Sequence, residues 1–189
     1  MSDSHNPRDA NLLGALSLAV VDRVRTATDN AAGHRAAAPA ALVALQQFAG
    51  GGSMDELRKV LGLTPSGAVR LVDRLEADGY VERRAGADGR SLALALTPAG
   101  RRVARRVLHA RGDALDDVLA PLSRAERATL TRINEKLLRG ITRQRLAARG
   151  RGELPTGGWL CRLCDHGACG RARGACPAAG VAATSPPAS

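Results

Sequence analysis

The tightest constraint on this chain lies between Ser53 and Gly79, where two short helices are joined by almost no linker. Ser53-Met54-Asp55-Glu56 has the capping-box pattern, in which the Ser side chain bonds the Glu56 amide and Glu56 reaches back. The helix it opens turns Leu57, Val60 and Leu61 inward and stops at Gly62. After only Leu63, Thr64 caps a second helix with Pro65 at its first position, where a missing N–H costs nothing. Ala68, Leu71, Val72 and Leu75 form its buried stripe, and Gly79 ends it.

The segments on either side follow the same logic. Tyr80-Val81-Glu82-Arg83-Arg84 reads as a strand, residues 85–90 as a Gly-rich turn, and residues 91–96 as a second strand with Leu92, Leu94 and Leu96 on one face. Thr97-Pro98 repeats the cap-plus-proline device and opens a long helix to about Ala120, broken by Pro121. Ser123-Arg124-Ala125-Glu126 is a second capping box, and its helix carries Leu130, Ile133, Leu137 and Ile141 to about Arg149. Upstream, Leu12, Leu13, Leu16, Val20 and Val24 keep helical spacing until residues 30–33, and Ala38-Pro39 starts a short helix through Phe48. Gly50-Gly51-Gly52 reads as a plain loop. Aromatic residues make up 2% of the chain, so the core must be built from Leu, Val and Ala, which suits packed helices.

The expected fold is therefore mainly α: a winged helix-turn-helix with a small two-stranded β wing and dimerisation helices at both ends of the domain. Residues 1–11 are expected to be a flexible N-terminus and residues 12–149 one domain. Residues 150–177 form a cysteine-rich tail, and residues 178–189, rich in Ala, Ser, Pro and Thr, are expected to be disordered. The apolar stripes of the terminal helices (Leu12, Leu16, Val20 and Val24 with Leu130, Ile133 and Leu137) exceed what so small a core can cover, which predicts a homodimer.

A net charge of +10 suits a polyanionic partner, but residues 38–100 are neutral overall and the surplus sits mainly in residues 101–149. The motif makes the stronger case. The second short helix can enter a major groove N-terminus first, because Ser66, Gly67, Arg70 and Arg74 on its outer side are small or donate hydrogen bonds. Its N-terminal amides, beside Thr64, can meet a phosphate. Arg83, Arg84 and Arg90 of the ribbon can lean on the backbone or the minor groove. Arg101, Arg102, Arg105 and Arg106 read as a solvated face, and His34 and His109 as structural. No apolar run is long enough to span a bilayer and Met1 to Asn11 lacks a signal pattern, so a cytoplasmic protein with no membrane partner is expected.

The run from Glu56-Leu57 through Leu61-Gly62-Leu63-Thr64-Pro65-Ser66-Gly67-Ala68-Val69-Arg70, Leu71-Val72-Asp73-Arg74-Leu75-Glu76-Ala77-Asp78-Gly79-Tyr80 and Val81-Glu82-Arg83-Arg84 closely resembles the MarR (multiple antibiotic resistance regulator) family. So do Asp88-Gly89-Arg90 and Leu96-Thr97-Pro98-Ala99-Gly100, and the resemblance covers residues 12–149. It implies a dimer clasped by the first helix and the last two, acting as a repressor at a palindromic operator in double-stranded DNA and often released by a small-molecule effector. The family's wing carries Asp-x-Arg, with the Arg in the minor groove and the Asp steadying it; Asp88 and Arg90 match. Gly89 between them is commonly Arg in the family, which implies a weaker wing contact here.

The tail is an addition to that pattern. Cys161, Cys164, Cys169 and Cys176 crowd into a segment too Gly-rich to fold on hydrophobic burial. Four thiolates with a Cys-x2-Cys knuckle suit tetrahedral zinc, with His166 as a spare ligand. An iron–sulfur cluster needs the same ligands, and a thiol–disulfide redox sensor is the third chemistry that fits. A thiol enzyme is disfavoured because no βαβ unit presents Cys161 and Cys164. The expectation is a transcription regulator without enzymatic activity, against the alternatives of a redox sensor acting through the tail and an architectural DNA binder.

Overall fold

The computed structural model describes residues 7–86, 92–153 and 157–184. Its helices are α1 (Pro7–Ala32), α2 (Ala38–Ala44), α3 (Met54–Leu61), α4 (Pro65–Ala77), α5 (Pro98–Leu119), α6 (Arg124–Gly150) and α7 (Pro177–Thr184), with strands β1 (Val81–Ala85) and β2 (Leu92–Leu96) between α4 and α5. Helix α2 runs on into a wider π-turn, Leu45–Ala49. The fold is a winged helix-turn-helix.

The caps work as their sequences imply. Ser53 and Glu56 close a reciprocal box at α3, and Ser123 and Glu126 do the same at α6. Thr64 and Thr97 each accept the amide of a glycine three residues on, Gly67 and Gly100. The core gathers Leu42 and Val43 of α2, Leu57 of α3, Val72 and Leu75 of α4, Val81 and Leu94 of the hairpin and Val107 of α5, all essentially buried. Ala41, Ala44 and Ala104, wholly buried among them, let the helices approach closely. Helix α1 lies along α5 and enters this core only at its C-terminal end, through Ala32.

The wing is an antiparallel hairpin in which Val81 faces Leu96 and Arg83 faces Leu94. The glycine run before α3 is more than a plain loop. The Gly51 N–H donates to Leu94 O and the Leu94 N–H to Gly52 O, both at 2.9 Å, so the run makes a short antiparallel bridge to the free edge of β2. Gly51 adopts a left-handed φ of 83°, which lets the backbone lie flat on the strand. Leu92 does not share the buried face of Leu94 and Leu96; it stands exposed at the far end of the hairpin, past the edge of the core.

Two terminal expectations are corrected. Helix α1 begins at Pro7, inside the segment expected to be flexible, because Pro and Asp9 both suit a first helical turn. Residues 178–184, part of the stretch 178–189 expected to be disordered, form most of α7: Pro177 starts it, four alanines favour it, and Val181 is buried as α7 packs on α6.

The wing and α5 meet backbone to backbone. A Cβ on Gly100 would lie 2.0 Å from Tyr80 O. Gly100→Ala should therefore cost roughly 1–3 kcal/mol, whereas Gly112→Ala, with nothing within 4 Å of its new Cβ, should gain up to about 1 kcal/mol. Urea unfolding of the two variants checks the contrast; equal effects would mean that the contact does not constrain the fold.

Candidate nucleic-acid interface

Helix α4 presents one clean outer face. Its stripe of Ala68, Val72 and Leu75 is buried, so Ser66, Val69, Arg70, Asp73 and Arg74 are left exposed on the opposite side. Among the described residues neither Arg70 nor Arg74 forms an ion pair or a side-chain hydrogen bond, so both guanidinium groups are available. Thr64 is exposed, and its hydroxyl oxygen is engaged by the Gly67 N–H at 3.1 Å, which leaves the hydroxyl hydrogen to donate outward. Gly67 is half-buried beside it. The first turn carries no acidic residue, so its free amides and dipole present positive potential.

The acidic neighbours of this face are already occupied. Arg83 on β1 reaches back to Asp73 at 2.5 Å and to Glu76, both on α4. It was expected to lean on DNA; its side chain instead ties the wing to α4, because a half-buried guanidinium satisfies two carboxylates at once. Arg84 stays largely exposed and pairs with Glu82. On α3, a hydrogen bond from Lys59, then one from Arg58, hold the Asp55 carboxyl below its usual range. Behind the face, His34 meets Asp78 at 3.1 Å and packs edge-on against Tyr80, which fixes the end of α4. Arg101 is used locally, donating to Leu96 O at 2.6 Å, whereas Arg102, Arg105 and Arg106 are exposed along α5. Asp88 and Arg90 lie outside the described residues.

Val69 was missed from the sequence. It is 44% exposed between Ser66 and Arg70, and the signal was its position on the outer face of the same helical wheel. An exposed valine there offers apolar contact to a thymine methyl.

The cysteines sit in a lobe, residues 157–184, docked on the helix-turn-helix. The Trp159 N–H donates to Val60 O at 2.7 Å and Arg145 of α6 donates to Gly158 O at 3.0 Å. Phe48 stacks between Trp159 and His166, and the His166 N–H donates to Gln47 Oε1. No sequence signal marked Gln47 or Phe48 for this contact. The Cys164 thiol donates to Leu160 O at 4.0 Å and the Cys169 thiol to His166 O at 3.8 Å. Hydrogen bonding from Cys161, helped by Arg111, Arg162 and Arg171 against the cost of burial, pulls Cys164 down to about 6. Interaction with Cys164, then burial, pushes Cys161 up. Burial, then Cys176, pushes Cys169 up, and burial lowers His166. Among the described residues no three of His, Cys, Asp and Glu already stand in metal-holding geometry.

The MarR family model matches residues 36–91, which run from before α2 through α3, α4 and β1. The transcriptional repressor MprA of Escherichia coli (strain K12) is 38% identical over 84 residues, 44% of this chain and 48% of that protein. The chain thus spans about half the length of the curated relatives it matches. A MarR family protein from Bacillus stearothermophilus superposes with a TM-score of 0.66 at 25% identity, over 75% of this chain and 99% of that one. CouR from Rhodococcus jostii RHA1, solved with p-coumaroyl-CoA, shares the fold at a TM-score of 0.56 and 24% identity, over 72% of this chain and 93% of that one. The family match ends before the cysteine lobe. Among the described residues no helix is long and apolar enough to cross a membrane.

Cutting the strut between wing and α4 tests the packing of this winged helix-turn-helix. Arg83→Ala should lose about 1 kcal/mol, since the pairs are partly exposed. Amide exchange at residues 81–85 should rise while that of α2 stays put; uniform exchange across both would show that the strut does not hold the wing.

Proposed function

We propose that this MarR-type protein is a DNA-binding transcription regulator, a homodimeric repressor that works in the cytoplasm at a palindromic operator. The observation that carries the reading is the outer face of α4, where Arg70 and Arg74 stand free while Arg83 takes up the neighbouring carboxylates. Such a face meets DNA without an unpaired acid against the phosphates. Arg70, four residues beyond the exposed Ser66, is at the depth where a guanidinium reaches the O6 and N7 of a guanine. Arg74 lies one turn further, towards the sugar-phosphate wall. Thr64, Ser66 and the Gly67 amide take a backbone phosphate at the helix N-terminus. Asp88 and Arg90 act at the wing, Arg90 in the minor groove with Asp88 steadying it, as the family resemblance implies. The likeness to a repressor, MprA, supports repression.

The dimer is supported by what the single chain leaves uncovered. Leu12, Leu16 and Leu18 of α1 and Ile133, Leu137 and Ile141 of α6 are large apolar side chains at 42–70% exposure. Val20, Val24 and Leu130 are only half-covered. A second copy clasped through these helices would bury them and set two α4 helices about 34 Å apart, one turn of DNA. The reading involves no catalytic step. Signals that release the repressor, a small-molecule effector among them, would act by changing that spacing.

Arg70→Ala should weaken binding to the operator by roughly 1–3 kcal/mol and relax base preference at one position in each half-site. Arg90→Ala should weaken it with less effect on base choice. Both are read by fluorescence anisotropy against the operator and its single-base variants; unchanged affinity in both would sink the assignment. Sedimentation should give a dimer at micromolar concentration, and Leu16→Asp should shift it to monomer. A wild-type monomer there contradicts the clasp.

A further inference from the structure

We propose that Cys161, Cys164, Cys169 and Cys176 hold one zinc ion, and that this centre fastens the C-terminal lobe against the turn between α3 and α4. Three observations lead there. The backbone gathers the four cysteines into two tight turns of one small lobe: the Cys164 N–H donates to Cys161 O at 3.1 Å, and the Ala175 N–H donates to Gly170 O at 3.1 Å, which draws the flanking Cys169 and Cys176 towards each other. Closing one pair on the other gives four sulfur donors around a point, the set that a borderline-soft, tetrahedral divalent ion prefers. Of the other donors nearby, Asp165 has different work, and the His166 Nε2, buried and without a hydrogen-bond partner among the described residues, stands as a spare ligand. Asp165 accepts the Gly167 and Ala168 amides and shapes the turn, and the His166 ring is stacked on Phe48.

The lobe also has little core of its own, although Trp159, His166 and α7 dock it on the rest of the chain. Between residues 157 and 176 the only regular structure is one 3-10 turn, Arg171–Arg173. The residues fully buried there are Gly158, Gly170 and Cys176, and Leu163 is only partly buried against the main core. Burial of that kind does not offset the entropy of ordering an irregular segment, whereas metal ligation does. On binding, the thiol protons still present leave to solvent and the sulfurs become thiolate ligands.

The third observation is where the lobe sits. A Cβ on Gly62 would lie 2.4 Å from the Gly158 N, and a Cβ on Gly158 2.3 Å from Val60 O. The two segments therefore touch main chain to main chain at the turn that aims α4. Trp159 follows at once, bonded to Val60 O and stacked on Phe48, and Cys161 is two residues further on. A centre that rigidifies Cys161–Cys164 thus pins the strip lying on that turn. Arg145 and α7 tie the same lobe to α6, so the metal joins the helix-turn-helix to the terminal helix.

Full-length protein purified anaerobically under reducing conditions from zinc-replete cells should carry about one zinc per chain and be colourless. Iron with visible absorption, or protein without stoichiometric metal, overturns the proposal. Trp159 is the only tryptophan, so its emission reports the strip without labelling. Removing zinc, or making Cys169→Ser together with Cys176→Ser, should shift that emission to the red and speed amide exchange at Trp159, with far-ultraviolet circular dichroism of the long helices retained. Returning zinc to stripped wild-type protein should restore both, with an endpoint of one ion per chain, and this arm stands even where the double variant fails to fold. Emission and exchange indifferent to zinc would overturn the fastening. No arm contains DNA, so failure here is separate from failure of the regulator reading.

Discussion

The turn at Gly62 is the point on which this molecule hinges. Its left-handed φ of 68° ends α3 and lets the chain reverse within two residues into the Thr64 cap. That reversal sets α4 across α3 with one face on the core and the other in solvent. The missing Cβ matters a second time, because the backbone of Gly157 and Gly158 occupies the space a side chain would need. One residue thus aims the exposed helix and accepts the C-terminal lobe.

Scarcity of aromatic side chains makes the remaining few act as fasteners. The core itself is Leu, Val and Ala, packed closely enough that three alanines are wholly buried. His34 against Tyr80 closes the end of α4, and Phe48 between Trp159 and His166 closes the lobe. Both contacts join segments distant in sequence, where a large flat surface gives more burial per ordered side chain than any aliphatic residue available.

Charge follows the same economy. The α4 region is neutral in sequence, yet its outer face is basic, because Arg83 draws Asp73 and Glu76 into one strut and leaves Arg70 and Arg74 unpaired. Counting charges along the chain hides this, since the sum is blind to which partners are already satisfied.

Much of the fold was legible because its signals are short-range. Ser53 with Glu56, Thr64 with Gly67 and Thr97 with Gly100 lie within one helical turn, so the sequence alone determined where α3, α4 and α5 begin and which face each buries. It also placed Ser66, Arg70 and Arg74 on the outer side of α4, since a 3.6-residue period leaves no other choice once Val72 and Leu75 point inward. Tertiary structure alone decided what those faces meet. Arg83 looked like a partner for DNA and became a brace; Gly51 and Gly52 looked like a loop and became a bridge to β2; residues 178–184 looked unstructured and became part of a helix on α6. Each of these depends on a surface supplied from elsewhere in the chain, and local sequence carries no record of what will be packed against it.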